Sequence, residues 1–174
     1  MKTAFLVIMV AFLLSGCSSI DKYKDEPTDV LYRADIDADN ASEIIKVKDK
    51  FDTQSKTIII ALEKNRKQID EFSVPGRLEN LEFMQLDISR RQNISLHYKK
   101  KDGSEVVDIY GLKDDKFRKV FTIDSSCGIE TDYSSVLARI KVGKFKCDGD
   151  ICSCIGPSAG EMWIWGGDRF VRER

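Results

Sequence analysis

Short alternating and β-branched apolar runs, set apart by polar turn residues, recur along this chain. Glu43-Ile44-Ile45-Lys46-Val47, Asn93-Ile94-Ser95-Leu96-His97-Tyr98 and Ala138-Arg139-Ile140-Lys141-Val142 form one set. Lys56–Leu62, Glu105–Tyr110 and Glu161–Trp165 form a second. Period-two alternation with β-branched residues predicts strands. Each run of the second set is followed by a polar turn, such as Lys113-Asp114-Asp115-Lys116 or Gly166-Gly167-Asp168-Arg169. A closing run comes next, holding Ile69 and Phe72, Phe117 and Val120, or Phe170. Ile60–Phe72 has the most helix-like spacing, yet it also divides into two strands around Glu63-Lys64-Asn65-Arg66. Helical periodicity is weak elsewhere, so the expected class is all-β.

The sets repeat. Ile36, Leu86 and Ile129 take equivalent places, at intervals of 50 and 43 residues. Each begins a unit of two short strands, a loop and a hairpin. Periods of this length mark arrays, commonly propellers with four strands per blade. The expectation is three four-stranded antiparallel repeat units in a partial or small propeller-like array. Propellers typically have about four to eight blades, so pairing with another copy, as a homo-oligomer, is one way to complete such a set. A β-sandwich or barrel built from the three units is the alternative.

Lys2, the apolar run Ala4–Leu14 and the small residues Ser15 and Gly16 have the layout of an export signal. The run is shorter than the roughly 20 residues of a spanning helix. With Cys17 directly after Ser-Gly, the stretch resembles a bacterial lipoprotein signal. The resemblance implies cleavage before Cys17 and its acylation with diacylglycerol- and palmitate-type chains. Two or more chains hold a protein on a membrane where one is marginal. Ser18 rather than Asp follows Cys17, which favours the outer membrane, facing the periplasm. Residues 1–16 are thus the expected signal peptide. Residues 17–30 are the lipidated Cys and a polar tether broken by Pro27, too poor in apolar groups to order. Residues 31–174 form a single β-repeat domain, of a size that buries about 68–70% of its unfolded surface.

Lys and Arg number 28 against 29 Asp and Glu, for a net charge of −1, and the two signs are interspersed. Nucleic-acid binding needs a basic footprint that is missing here. Of five Cys, Cys17 is taken by lipid, which leaves Cys127, Cys147, Cys152 and Cys154. An even number in an oxidising compartment predicts two disulfides. A bond between Cys152 and Cys154 would close a strained ring. The expected pairings therefore join Cys127 and Cys147 to Cys152 and Cys154, in either order. They would staple Lys144–Gly160, the least periodic part of the domain. A zinc site is the rival, although the spacing is not the usual CxxC pair.

The first unit contains Asp35-Ile36-Asp37-Ala38-Asp39-Asn40-Ala41-Ser42-Glu43. Carboxylates at loop positions one, three, five and nine can gather around one point, as a hard cation such as calcium requires. Ala41 at position seven would add a backbone carbonyl. Asn40 follows position five and tolerates the positive φ of a sharp turn. Lys46 stands at position twelve, so the run is not an EF-hand. The rival is a solvated turn, since Asp and Asn favour turns without metal. The loop-then-strand pattern resembles FG-GAP and VCBS repeats. That resemblance implies propeller-type blades, calcium held by Asp35, Asp37, Asp39 and Glu43, and roles in adhesion or recognition outside the cell. The second unit has Gln85, Asp87, Ser89 and Asn93 in this register, and the third has Gly128, Glu130, Asp132 and Val136. The ending Met162–Phe170 looks like the closing hairpin of such repeats. The ion's expected role is structural.

Catalytic patterns are weak. Gly156-Pro157-Ser158-Ala159-Gly160 spells GxSxG, but it lacks the strand before and helix after that a nucleophile elbow needs. His97 is the single His and lies in an alternating run, as a surface strand residue. Trp163 and Trp165 share one strand face, which suits core packing. The expected function is a non-catalytic, lipid-anchored binding or scaffold protein of the cell envelope, with an envelope protein or glycan as partner. The alternatives are an inhibitor of an envelope hydrolase and a hydrolase using Ser158 with His97 or a metal at Asp35.

Overall fold

The computed structural model describes residues 30–51, 56–87, 91–134 and 137–173. The expected signal peptide (1–16), Cys17 and the tether up to residue 29 lie outside them. The first strand opens at Val30, the last residue assigned to the tether.

Over the described residues the protein is all-β, with four antiparallel sheets. The first has the order β1-β2-β3-β4, from β1 (Val30–Ala34), β2 (Glu43–Phe51), β3 (Lys56–Lys64) and β4 (Lys67–Pro75). The second repeats this order with β5 (Arg77–Met84), β6 (Asn93–Lys99), β7 (Glu105–Lys113) and β8 (Lys116–Ser125). The third begins with β9 (Ile129–Asp132) and β10 (Arg139–Val142). The chain then leaves it to form a two-stranded sheet, β11 (Lys144–Asp148) and β12 (Ile151–Ile155). A single 3₁₀ turn at Pro157–Ala159 brings it back for β13 (Glu161–Trp165) and β14 (Phe170–Arg172), which complete the order β14-β13-β10-β9. Ile60–Phe72 is a hairpin. Its turn residues Asn65 and Arg66 have φ of 53° and 64°, and Asp114 and Asp115 close β7–β8 with 54° and 56°. Two consecutive positive φ values match the twist of the flanking strands.

The second sheet is covered on both faces. Ile94, Leu96, Tyr98, Val106 and Tyr110 face the first sheet's Ile45, Val47, Ile58, Ile60, Leu62 and Val74. Val107 and Ile109, one residue out of step, face Ile129, Ile140, Val142 and Phe170 of the third sheet, with Trp163 and Trp165 packed alongside. This is why Val106–Tyr110 reads as a nearly continuous apolar run; in the outer sheets β2 and β10 alternate, while Ile58–Leu62 of β3 is apolar throughout. Fully burying one such aliphatic side chain contributes about 1.5–3 kcal/mol.

The third unit is offset from the expected repeat. Ile36 and Leu86 lie in the loops after β1 and β5, whereas Ile129 is the first residue of β9. The corresponding loop follows Asp132. The first strand of this unit is shorter than its counterparts and itself begins with an isoleucine, so an isoleucine of a strand mimics one of a loop.

Candidate functional site

The β1–β2 connection runs from Asp35 to Ser42. Ala38 and Asn40 both adopt left-handed φ, at 64° and 66°; the sequence pointed to Asn40 alone. The resulting coil brings one carboxylate oxygen each of Asp35, Asp37 and Asp39 within 4.8 Å of one another. Backbone N–H groups hold the coil. Asp39 donates to Asp35 Oδ1 (3.1 Å) and Asp37 Oδ1 (3.2 Å), Asn40 to Asp35 Oδ2 (3.0 Å), and Ala41 to Asp39 Oδ1 (2.8 Å). Ile36 anchors the loop in the core, and its N–H donates to Glu43 Oε2 at 2.8 Å. Glu43 is fully buried.

At the centre stands Lys64, the last residue of β3. Its Nζ donates to Asp37 Oδ2, lies 2.6 Å from Asp39 Oδ2, and is 3.5 Å from Glu43 Oε1. Apart from that ion pair, Glu43 Oε1 is buried without a hydrogen-bond donor. Bonding to Asp37 and Asp39 pushes the Lys64 ammonium above the ordinary lysine range. The Lys64 bond holds the Asp39 carboxyl below its usual value. Three of the expected ligands, Asp35, Asp37 and Asp39, are therefore brought together, their kind suits a hard cation, and Glu43 shares Lys64 with two of them. Calcium does not fit beside the Lys64 ammonium, which already holds the focus.

Among the described residues, the later units gather no such set of carboxylates. Gln85 and Asp87 follow β5, and Ser89 and Val136 lie outside the described residues. Glu130 is on β9, 3.6 Å from Lys141 Nζ, and Asp132 accepts from the Ser134 N–H at 3.1 Å. Among the described residues, Asp35, Asp37 and Asp39 form the only cluster of three metal-capable side chains.

The second feature is the β11–β12 hairpin. Every one of its strand residues except Ile155 is exposed, with Phe145 at 60% and Ile151 at 78%. A lone two-stranded hairpin is marginally stable in water. Both disulfides act on this one. Cys147–Cys152 bridges directly paired residues with Cα atoms 4.0 Å apart, and Cys127–Cys154 ties β12 to the β8–β9 turn. This is one of the two pairings expected from spacing. At the neck, Gly143 and Gly160 have no room for a side chain. A Cβ would meet Cys127 O at 2.2 Å and Val142 O at 1.9 Å respectively. The Gly143 N–H donates to Gly128 O (2.9 Å), and the Ser125 hydroxyl donates to Gly143 O (2.7 Å).

His97 lies on β6 with its side chain partly exposed. Its Nε2 lies 3.3 Å from Glu105 Oε2, which also accepts the Ile129 N–H at 2.9 Å. Ser158 sits exposed in the 3₁₀ turn, and no hydrogen bond joins it to His97 among the described residues. Trp163 and Trp165 pack against Phe121 and Phe170, inside the molecule.

Asp108 escaped sequence reading. It is fully buried in β7 and accepts hydrogen bonds from Tyr98 (3.1 Å), Tyr110 (3.4 Å), Lys119 Nζ (2.6 Å) and Thr122 (2.5 Å). Its signal was a single acid within Val106–Tyr110. Burial and the nearby Asp108 charge raise both tyrosine pKa values above the ordinary range. No family model, curated protein or solved structure matches this chain.

Proposed function

We propose that this protein is a lipid-anchored, non-catalytic binding protein of the bacterial cell envelope whose recognition element is the β11–β12 hairpin. Cys17 supplies the anchor, at an outer membrane and facing the periplasm, and a polar tether carries the domain. The three stacked sheets are the framework, an open propeller-like array with one sheet per blade. Their shared four-stranded order and the resemblance of the first loop to FG-GAP and VCBS repeats support that reading. The observation that carries the role is the hairpin itself: exposed on both faces, bearing Phe145 and Ile151, and held by both disulfides. Large apolar side chains on a rigid, protruding element suit a partner's pocket. The partner is an envelope protein or glycan.

Inhibition of an envelope hydrolase is the more specific version of the same role. A stiff hairpin loses little conformational freedom on entering a cleft, which favours tight occupation. Wild-type chain and a Phe145→Ala/Ile151→Ala variant, immobilised side by side, test the proposal with envelope extract. A partner held by the wild type and lost by a variant with unchanged circular dichroism supports it. Equal capture by both rejects the hairpin as the recognition element.

A further inference from the structure

We propose that Lys64 is the resident cation of the Asp35–Glu43 loop: its ammonium stands where the sequence pattern asks for calcium, the loop is ordered without metal, and calcium enters only a chain lacking that ammonium. The inference does not depend on the binding role of the hairpin.

Three carboxylates meet Lys64 with a common arrangement. One oxygen of each is engaged by a backbone N–H: Asp37 Oδ1 by Asp39, Asp39 Oδ1 by Ala41, and Glu43 Oε2 by Ile36. The other oxygen of each, Asp37 Oδ2, Asp39 Oδ2 and Glu43 Oε1, faces Lys64 Nζ. An ammonium offers three protons and has no other bonding capacity. Asp37 and Asp39 bond to it directly and Glu43 Oε1 pairs with its charge at 3.5 Å; these three inward oxygens are fewer than the roughly six to eight a calcium ion gathers.

Glu43 is the second, independent sign. Its side chain has no exposure, and Oε1 has no hydrogen-bond donor. A carboxylate so placed is costly without a counter-charge. Lys64 is the cation the chain places against it, 3.5 Å away.

The internal repeats supply a third line. Ile44 pairs with Glu63 in the first sheet, and Ile94 pairs with Tyr110 in the second. One step further along each ladder, Glu43 meets Lys64, and Asn93 meets Gly111, whose Cβ would lie 3.0 Å from Asn93 Oδ1. In the third sheet Arg139 pairs with Ile164, and the next step sets Ala138 against Trp165. Where the acid is missing, the lysine is missing too. Acid and lysine occur together in the one unit that keeps its aspartates.

The test uses the full chain in detergent, with calcium chloride as the probe after chelator treatment. Thermal unfolding and calorimetric titration are run on wild type, Lys64→Met and Lys64→Gln. Wild type is expected to melt at one temperature in chelator and in millimolar calcium, and to give no binding heat. Lys64→Met is expected to melt lower in chelator, to regain stability with calcium, and to bind calcium at least tenfold more tightly than wild type. Wild type that binds calcium as tightly as Lys64→Met, or melts lower in chelator, overturns the proposal. So does a Lys64→Met chain as stable as wild type. If neither variant folds even with calcium present, the ion cannot take the place of the ammonium, and the proposal fails as well.

Discussion

The two disulfides enclose very different lengths of chain, and their removal should separate the hairpin from the body. Cys127 and Cys154 are 27 residues apart, and Cys147 and Cys152 are 5 apart. Chain entropy assigns about 3.5 kcal/mol to the longer closure and about 2 kcal/mol to the shorter, at 25 °C. The longer loop contains β9 and β10, whose Ile129, Ile140 and Val142 belong to the core. Its closure therefore acts on the cooperative unit. The shorter loop contains only hairpin residues, all of them exposed. Its closure acts on local opening of the hairpin. Replacing both partners of each bond by Ala leaves no odd thiol to reshuffle. Cys127→Ala/Cys154→Ala should lose about 3.5 kcal/mol in urea unfolding and roughly 10 °C in Tm, at about 3 °C per kcal/mol. Cys147→Ala/Cys152→Ala should stay within about 0.5 kcal/mol of wild type. Amide exchange at Lys146 and Ser153 should nonetheless accelerate in that variant. If the short bond's removal costs the body as much as the long one's, the hairpin is part of the cooperative core and the reasoning is wrong.

Asp108→Ala leaves two buried tyrosine hydroxyls without an acceptor, while Lys119 and Thr122 can turn to water. At about 1–3 kcal/mol for each orphaned group, urea unfolding should show a loss of about 4 kcal/mol, largely recovered by adding Tyr98→Phe and Tyr110→Phe. The pKa values of Tyr98, Tyr110 and Tyr133 are raised in the fold, chiefly by burial. Their stabilisation is therefore complete below the unfolded tyrosine value of about 10, and it falls as pH rises through the higher folded values. Ultraviolet titration should show these three rings ionising only with unfolding at alkaline pH. Gly160→Ala would force a methyl against Val142 O, and thermal melts should record a loss of about 1–3 kcal/mol; an unchanged melt would show that the neck can relax.

β2 and β10 were legible because one face of each outer sheet is buried and the other wetter, which prints a period of two on the sequence, while β3, β6 and β7 were legible as β-branched apolar runs. β5 was hidden for a local reason: a register shift between Leu78 and Asn80 breaks its alternation. β11 and β12 were hidden because they have no buried face, so nothing constrains the order of polar and apolar residues. The disulfide pairing was readable from spacing, down to two alternatives. The acidic loop was readable as a converging set, and its Asn40 turn as well. Lys64 was not, because it comes from the far end of β3 and enters the loop only through strand pairing. The same holds for Asp108, whose partners Tyr98, Lys119 and Thr122 come from two other strands of its sheet.

The glycine-lined neck also bears on how such a chain can change over time. Val142 and Glu161 are paired neighbours in the third sheet, so the inserted segment leaves and re-enters the body at one point, with the Cys127–Cys154 bond as a further tie. Residues of the hairpin tip, between Cys147 and Cys152, can be exchanged, lengthened or shortened with little disturbance to the domain, provided the two glycines and the Cys127–Cys154 bond stay. Related chains are then free to diversify quickly at this one point while the framework drifts slowly, and a foreign hairpin could be grafted there by design.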